Sequence, residues 1–324
     1  MKRIVAVTAA SGRLGHAVAK LLLNRRPSDI TLRFTARSPE KVSDLEGQVL
    51  RADYDDPASM KAAFVGVDTL LLVSGMGSNE ERIRQHRSAI TCAKEAGVKR
   101  IVYTSFTHAT AKSRFIWAKS QADAEAFLMA SGVPYTILRN NQYFANLEPF
   151  LMQARETGTF SMPGMEGRVA YVSHADLAEA TVAVLLGDGH GNRIYELTGP
   201  EAIDGRQIAL ALSKGLRKEV KLLPCPPEAV RSGMEARGLP PFVIDGLMSL
   251  YDAAGHGEYQ AVSGDTAMLL QHPALSLLEQ LAQRSLPDLR AVPDKPRAPR
   301  VRPLPAPSMR PMMRQNPRAH SRHH

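Results

Sequence analysis

Strand and helix signals that alternate at short spacing over residues 1–145 predict an α/β protein built on a doubly wound parallel sheet. Three observations carry this expectation. The repeated β-α-β units with short connections imply a parallel sheet covered by helices on both faces. Several intervening helical stretches stop at a glycine (Gly66, Gly97, Gly132), where a left-handed residue ends a helix. The first run, residues 4–7, leads through a turn of small residues straight into a helix with apolar Val18, Leu21 and Leu22 on one face.

Taken in order, residues 4–7 form the first strand, 30–35 the second, 49–52 the third, 70–73 the fourth, 101–104 the fifth and 135–138 the sixth. Helices are expected over 16–23, 57–64, 79–96 and 118–131. Beyond residue 145 the alternation loosens. Strands over 169–172, 194–197 and 220–223 and helices over 176–186, 204–212, 227–237 and 241–251 suggest a smaller α+β substrate-binding part spanning 146–286. Either of the first two of those strands can rejoin the main sheet. Residues 287–324 differ again. They hold nine Lys and Arg against two Asp, a net +7 of the chain's +9, together with frequent proline and no aromatic residue. Such a segment buries too little apolar area to offset its ordering entropy and is expected to be disordered.

The remaining 286 residues are nearly neutral, which argues against a specific nucleic-acid partner; a solvated tail is the simpler use of the terminal charge. No run approaches the roughly 20 apolar residues of a membrane helix. Cys92 and Cys225 lack metal-ligand spacing and read as free thiols, consistent with a cytoplasmic protein. Neither a nucleophilic triad nor a metal-binding cluster is present in the pattern, so no metal is expected. A monomer and a homodimer are both compatible with the sequence.

The turn Thr8-Ala9-Ala10-Ser11-Gly12-Arg13-Leu14-Gly15 lies between a strand and a helix start, where backbone N–H groups and the helix dipole hold a dinucleotide pyrophosphate. This is a Rossmann-type arrangement. Ala9 replaces the first glycine of the usual pattern, and the turn is expected to relax to a conformation that alanine accepts. At the end of the second strand stands Thr35-Ala36-Arg37-Ser38-Pro39-Glu40-Lys41. An NAD site normally has an acid there for the ribose 2′-hydroxyl. Arg37, with Lys41 four residues on, instead suits a 2′-phosphate and hence NADPH; a solvated basic patch is the alternative. Asp53-Tyr54 follows the third strand where adenine lies, with capping as a competing use of the neighbouring acids. Ser74-Gly75 and Thr104-Ser105 put small polar groups at the carboxyl edge of the sheet, where ligands bind in this architecture.

These segments, together with Ala52-Asp53-Tyr54, Tyr103-Thr104-Ser105, residues 131–140, residues 195–200 and His272-Pro273, resemble the NmrA-like atypical short-chain dehydrogenases over residues 1–283, most of all their type 2 NAD(P)H:quinone oxidoreductases. The resemblance implies that Thr8, Ala10, Ser11, Gly12, Arg13, Leu14 and Gly15 hold the pyrophosphate. It implies that Arg37 holds the 2′-phosphate and that Ser74, Gly75, Thr104 and Ser105 flank the ribose and nicotinamide. Asn140, Asn141 and Tyr143 fall where relatives line the nicotinamide and substrate pocket; core packing is the other reading of Tyr143.

The chain lacks the Tyr-x-x-x-Lys pair with which many short-chain dehydrogenases pass a proton to substrate. In the position where atypical relatives carry Lys or His stands Gln121, which can hydrogen-bond a carbonyl but cannot donate or remove a proton in catalysis. Quinones and similar small electrophilic acceptors tolerate that loss, because the product oxygen can take its proton from water. The expected activity is therefore NADPH-dependent reduction of such acceptors, with Tyr143, Asn141 and Gln121 as candidate catalytic residues. A redox sensor that binds NADP(H) without turnover is the alternative. His86 and Arg84 read as helix-face residues, and Asp176 as a helix cap, with a domain contact as its second reading.

Overall fold

The computed structural model describes residues 2–283. The basic tail, 287–324, lies outside the described residues. Strand β1 (Arg3–Val7) is followed by α1 (Arg13–Arg25), β2 (Ile30–Ala36), β3 (Gln48–Arg51), α2 (Pro57–Phe64), β4 (Thr69–Leu72), α3 (Asn79–Glu95), β5 (Arg100–Phe106), α4 (Ala118–Ala130) and β6 (Tyr135–Asn140). Then come α5 (Glu148–Thr157), β7 (Thr159–Phe160), α6 (His174–Leu186), β8 (Arg193–Leu197), α7 (Gly205–Leu216), β9 (Lys221–Leu222), α8 (Pro227–Ala236), α9 (Pro241–Gly255), α10 (Asp265–Leu270) and α11 (Leu277–Leu281).

Seven strands form one sheet in the order β3-β2-β1-β4-β5-β6-β8, with every pair parallel. The chain runs outward from β1 to β3, then returns to place β4 on the other side of β1. That reversal opens a cleft over the carboxyl ends of β1 and β4, the place where this architecture binds ligands. Val5, Ala6, Val7 and Leu70 to Leu72 are fully buried, which explains why their strands read as unbroken apolar runs.

One face of the sheet packs against α1 and α6. Residues 174–182 of α6 are all buried, so this helix is covered around its circumference rather than along one stripe, with His174, Asp176, Glu179 and Thr181 buried among its apolar residues. The other face packs Met60, Phe64, Ala89, Ile90, Ala124 and Leu128 from α2, α3 and α4. A further apolar cluster, including Phe115, Trp117, Phe144, Phe160, Leu212 and Tyr251, gathers over the β5–β6 end, beside the two-stranded β7–β9 sheet. The second half of the chain thus supplies both this cluster and the seventh strand, β8. Gly66, Gly97 and Gly132 take φ of 74°, 76° and 79°, as the helix endings required.

Two expectations change. Residues 169–172 form no strand; single bridges from Val172 to Tyr143 and from Val169 to Ile203 hold them as a buried connector. Asp176 is not the cap of α6. Ser173 caps it, its hydroxyl accepting from the Asp176 N–H at 2.9 Å. The fully buried Asp176 carboxylate accepts from the Ser173 hydroxyl at 2.7 Å and from the Leu275 N–H at 2.9 Å, which ties a late segment to α6.

Candidate active site

The turn after β1 forms one wall of the cleft. Ala10 N–H donates to the Thr35 carbonyl at 2.9 Å and Gly12 N–H to the Ala9 carbonyl at 2.8 Å, so the turn is pinned to β2 and to itself. Ser11, Gly12 and Arg13 are exposed, and Leu14 is half-buried. Gly12 is the N-cap of α1 and offers no side-chain acceptor to the first-turn N–H groups, and no acid lies in that turn. These free donors, with the positive end of a 13-residue helix, suit an anion. Gly15 is required for close approach. A Cβ there would collide with the Ala9 carbonyl oxygen and stand 2.9 Å from its carbon. Ala9 does not relax as expected. It holds φ of 48°, a left-handed conformation that costs an L-residue roughly 1–2 kcal/mol.

Thr8 sits beneath this wall, fully buried. Its Oγ1 accepts from Val73 N–H at 2.9 Å and shares a 2.6 Å hydrogen bond with the Tyr54 hydroxyl, which also reaches the Val73 carbonyl. The Thr8 hydroxyl is therefore committed to joining β1, β4 and the segment after β3, not to a pyrophosphate. The Tyr54 ring lies beside Gly75, where an added Cβ would be 3.5 Å from it. Asp53 accepts from Asp55 N–H at 3.1 Å through Oδ1, and Arg51 stands 3.8 Å from Oδ2. Arg37 and Lys41 are exposed at the end of β2, and among the described residues neither enters a salt bridge.

On the other side of the cleft, Ser74 N–H donates to Thr104 Oγ1 at 2.9 Å and Gly75 N–H to His86 Nε2 at 3.1 Å. His86 Nδ1 lies 3.2 Å from the hydroxyl of Tyr103, which donates to Gln121 Oε1. Burial pushes the His86 pKa down to about 3 and the Tyr103 pKa far up, so both stay neutral. The Gln121 oxygen is thus spent on a buried tyrosine, and Gln121 acts as a support below the strand ends. His86 sits inside the protein with a hydrogen bond on each ring nitrogen rather than merely on a helix face; Arg84 is exposed and pairs with Asp55 at 2.6 Å.

Two more assignments need correction. Asn141 is fully buried, its Nδ2 donating to the Tyr259 carbonyl at 3.1 Å and its Oδ1 accepting from Gln142 N–H at 2.7 Å. Both ends of that side chain are engaged by backbone, so it does not reach an acceptor. Ser105 turns away from the cleft and donates to Glu125 at 2.5 Å, within a network where Arg139 pairs with Glu125 at 2.6 Å and with Glu196 at 3.0 Å.

What faces the cleft here is different. Tyr143 is half-buried, its hydroxyl beside the Asn140 amide, and burial raises its pKa. Its ring lies 4.7 Å from His174, which sequence reasoning passed over as part of a capping segment. Burial and the charge of Arg13 lower the His174 pKa to about 4, so the imidazole beside Tyr143 is neutral. Asn140 Oδ1, Gln142 Nε2 and His174 Nδ1 are buried without a hydrogen-bond partner. Buried polar atoms are normally satisfied, so Asn140 and His174, both beside Tyr143, are candidate contacts for a polar ligand. Among the described residues no cluster of His, Cys, Asp and Glu fits a metal ion, and no helix is long and apolar enough to cross a membrane.

The family model for NAD(P)H-binding proteins matches residues 9–188, which contain the glycine turn, Arg37, Tyr54, Gly75, Thr104 and Tyr143. This chain belongs to the NAD(P)H-binding family. It is similar to an NmrA-like family oxidoreductase. Quinone oxidoreductase 2 of Escherichia coli is 33% identical over 282 residues, covering 86% of this chain and 98% of its own. The crystal structure of that protein with NADPH superposes with a TM-score of 0.78. The triphenylmethane reductase of Citrobacter sp., solved with NADP(H), is 30% identical with a TM-score of 0.80, covering 87% of this chain and all of its own. An NmrA-like oxidoreductase of Aspergillus flavus is 28% identical over 277 residues, 82% of this chain and 89% of its own. The reductase is an NAD(P)H-dependent oxidoreductase acting on a small molecule. The uncapped first turn of α1 and the side-chain-free approach at Gly15 fit a dinucleotide's diphosphate.

Proposed function

We propose that this reductase uses NADPH to reduce quinones or similar small electrophilic acceptors. The observation that carries this reading is the lack, among the described residues, of a Tyr-Lys proton-donating pair at the cleft: the Tyr103 hydroxyl and the Gln121 carboxamide are bonded to each other, and burial makes the Tyr143 hydroxyl a weaker acid. An acceptor that takes hydride without simultaneous protonation by the protein suits such a site; an ordinary ketone does not. In this reading the pyrophosphate rests on the N–H groups of Ser11 to Gly15, and Arg37 with Lys41 meets the 2′-phosphate. Tyr54 borders the adenosine and Gly75 the ribose and nicotinamide, while Asn140 and Tyr143 frame the nicotinamide and the acceptor. Bound NADPH supplies the hydride, and the protein supplies position and shelter from water. The relatives solved with NADPH and NADP(H) support the cofactor choice.

Stopped-flow mixing of NADPH-loaded protein with benzoquinones and naphthoquinones tests the activity. Rapid loss of nicotinamide absorbance is expected; tight NADPH binding without oxidation by any acceptor would overturn it in favour of a sensor. For the cofactor, Arg37→Glu should weaken NADPH binding about a hundredfold, roughly 2.7 kcal/mol, while NADH binding changes little. Unchanged NADPH affinity in that variant would remove the 2′-phosphate assignment.

A further inference from the structure

Arg82 has no place in the account so far, yet it is the least expected side chain beside the cleft. It lies on the stripe of α3 that faces the sheet, in line with His86, Ala89, Ile90 and Ala93, and is only 3% exposed. Nε donates to Ser120 Oγ at 2.9 Å, Nη1 donates to the Gly75 carbonyl, and the guanidinium lies over Trp117 at 5.5 Å from the ring centroid. Nη2 makes no hydrogen bond to the described residues, and it is not among the orphaned atoms closed off from solvent. That edge thus keeps some exposure on a side chain held beside the cleft by Gly75, Trp117 and Ser120, with Tyr143 within electrostatic range.

No carboxylate balances this charge. The groups that favour the charged form of Arg82 are the neutral hydroxyls of Tyr103 and Tyr143, and no salt bridge to it exists among the described residues. An unpaired buried cation is costly, and this one stands near the positive end of the α3 dipole, where a cation is further disfavoured. Bracing Gly75 against Ser120 requires only a neutral donor. A full charge with one free N–H edge is explained by an anion that forms in the cleft during the reaction.

We propose that Arg82 is the oxyanion-stabilising residue for the acceptor and that its charge selects neutral carbonyl acceptors over cationic ones. The idea rests on the quinone-reductase reading of the site. Acceptance of a hydride (two electrons and one proton, the nicotinamide becoming oxidised) turns a neutral quinone into a hydroquinone monoanion. Its oxyanion lies against Nη2 until a proton from water completes the hydroquinone. A cationic triarylmethane dye that accepts the same hydride becomes neutral; no anion forms, and the dye approaches against the Arg82 charge.

Two measurements test this. The first needs no turnover: 4-nitrophenol is titrated with the NADP+-loaded protein and followed by its phenolate absorbance. In the wild type the bound probe should ionise about one pH unit below the free probe, a tenfold preference for the oxyanion, and in Arg82→Gln that preference should vanish. A wild type without the preference, whether it binds both forms alike or neither, overturns the proposal, as does a preference that persists in Arg82→Gln. The second compares reduction of a naphthoquinone with reduction of crystal violet. Arg82→Gln should lower the quinone-to-dye rate ratio at least tenfold; an equal loss on both acceptors would make Arg82 a brace only. Should Arg82→Gln not fold, Arg82→Lys decides, because it keeps the charge without the two-point brace. A retained phenolate preference supports the proposal and its loss overturns it. Phenolate preference without any quinone turnover would sink the quinone reading and leave the role of Arg82 standing.

Discussion

Around the turn after β1, polar groups are left for something outside the protein: the first-turn N–H groups of α1 have no cap, and Arg37 and Lys41 have no salt bridge among the described residues. Across the cleft, at the ends of β5, β6 and β8, most polar groups are spent on one another. Ser105, Glu125, Arg139, Glu196 and Thr107 form one network, and Asn141 is fastened to Tyr259. In the proposed reading the first region holds a large, multiply charged ligand through many modest contacts, so its groups remain open. The second holds a small acceptor in register with few contacts, and internal pairing gives it rigidity. The groups it leaves free, Asn140, Tyr143, His174 and the outer edge of Arg82, then stand out.

The largest effect is expected where the paired region is broken. Glu125 is 2% exposed and accepts from Ser105 and twice from Arg139. Glu125→Ala leaves a hydroxyl and a partly buried guanidinium without their main partner, and should cost about 3 kcal/mol in a urea unfolding midpoint. A loss below about 1 kcal/mol would mean that this network does not stiffen the acceptor side.

A smaller effect comes from the two histidines at the cleft. His86 and His174 have pKa values lowered to about 3 and about 4 from an ordinary value of 6.5, so the folded protein holds them neutral. Below pH 6.5 the unfolded chain binds protons that the folded one does not. Their contribution is therefore complete above pH 6.5 and declines as the pH falls toward 4, by up to about 1.4 kcal/mol per pH unit for each histidine. His174→Asn should make the decline of the melting temperature with acid visibly shallower. An identical pH profile would show that His174 is not held neutral.

The smallest effect concerns the open region. Because Ala9 is left-handed, Ala9→Gly should stabilise the fold by about 1 kcal/mol and leave the turn in place. A destabilised variant would indicate that the alanine methyl contributes packing that outweighs its backbone strain.

Much of the sheet was legible because its central strands β1 and β4 are short apolar runs, and several helices carry their own endings. Residues 169–172 misled for the same reason: a buried apolar run reads as a strand, but β6 already pairs with β8 on that side, so the run has no ladder to join. Site residues were misjudged in pairs. Thr104-Ser105 and Asn140-Asn141 look equivalent in sequence, yet successive residues of a strand point to opposite faces, as in Thr104-Ser105, and Asn141, just past the end of β6, is engaged by the Tyr259 carbonyl. Ser105 therefore meets α4, and Asn141 meets the segment at Tyr259. Arg82 was overlooked because a charged residue in a helix is by default solvated. Its signal was the period that puts it in line with His86, Ala89, Ile90 and Ala93.

The sequence by itself determined the parallel α/β architecture, the anion-binding turn and the basic residue at the end of β2. Each depends on local pattern, on which backbone conformations small residues allow, or on which charge stands at a strand end. Only the tertiary structure decided which polar side chains remain available for chemistry. Availability depends on partners brought from distant segments, such as Glu125 for Ser105, Tyr259 for Asn141 and Tyr103 for Gln121, and on the lack of such a partner for the charge of Arg82.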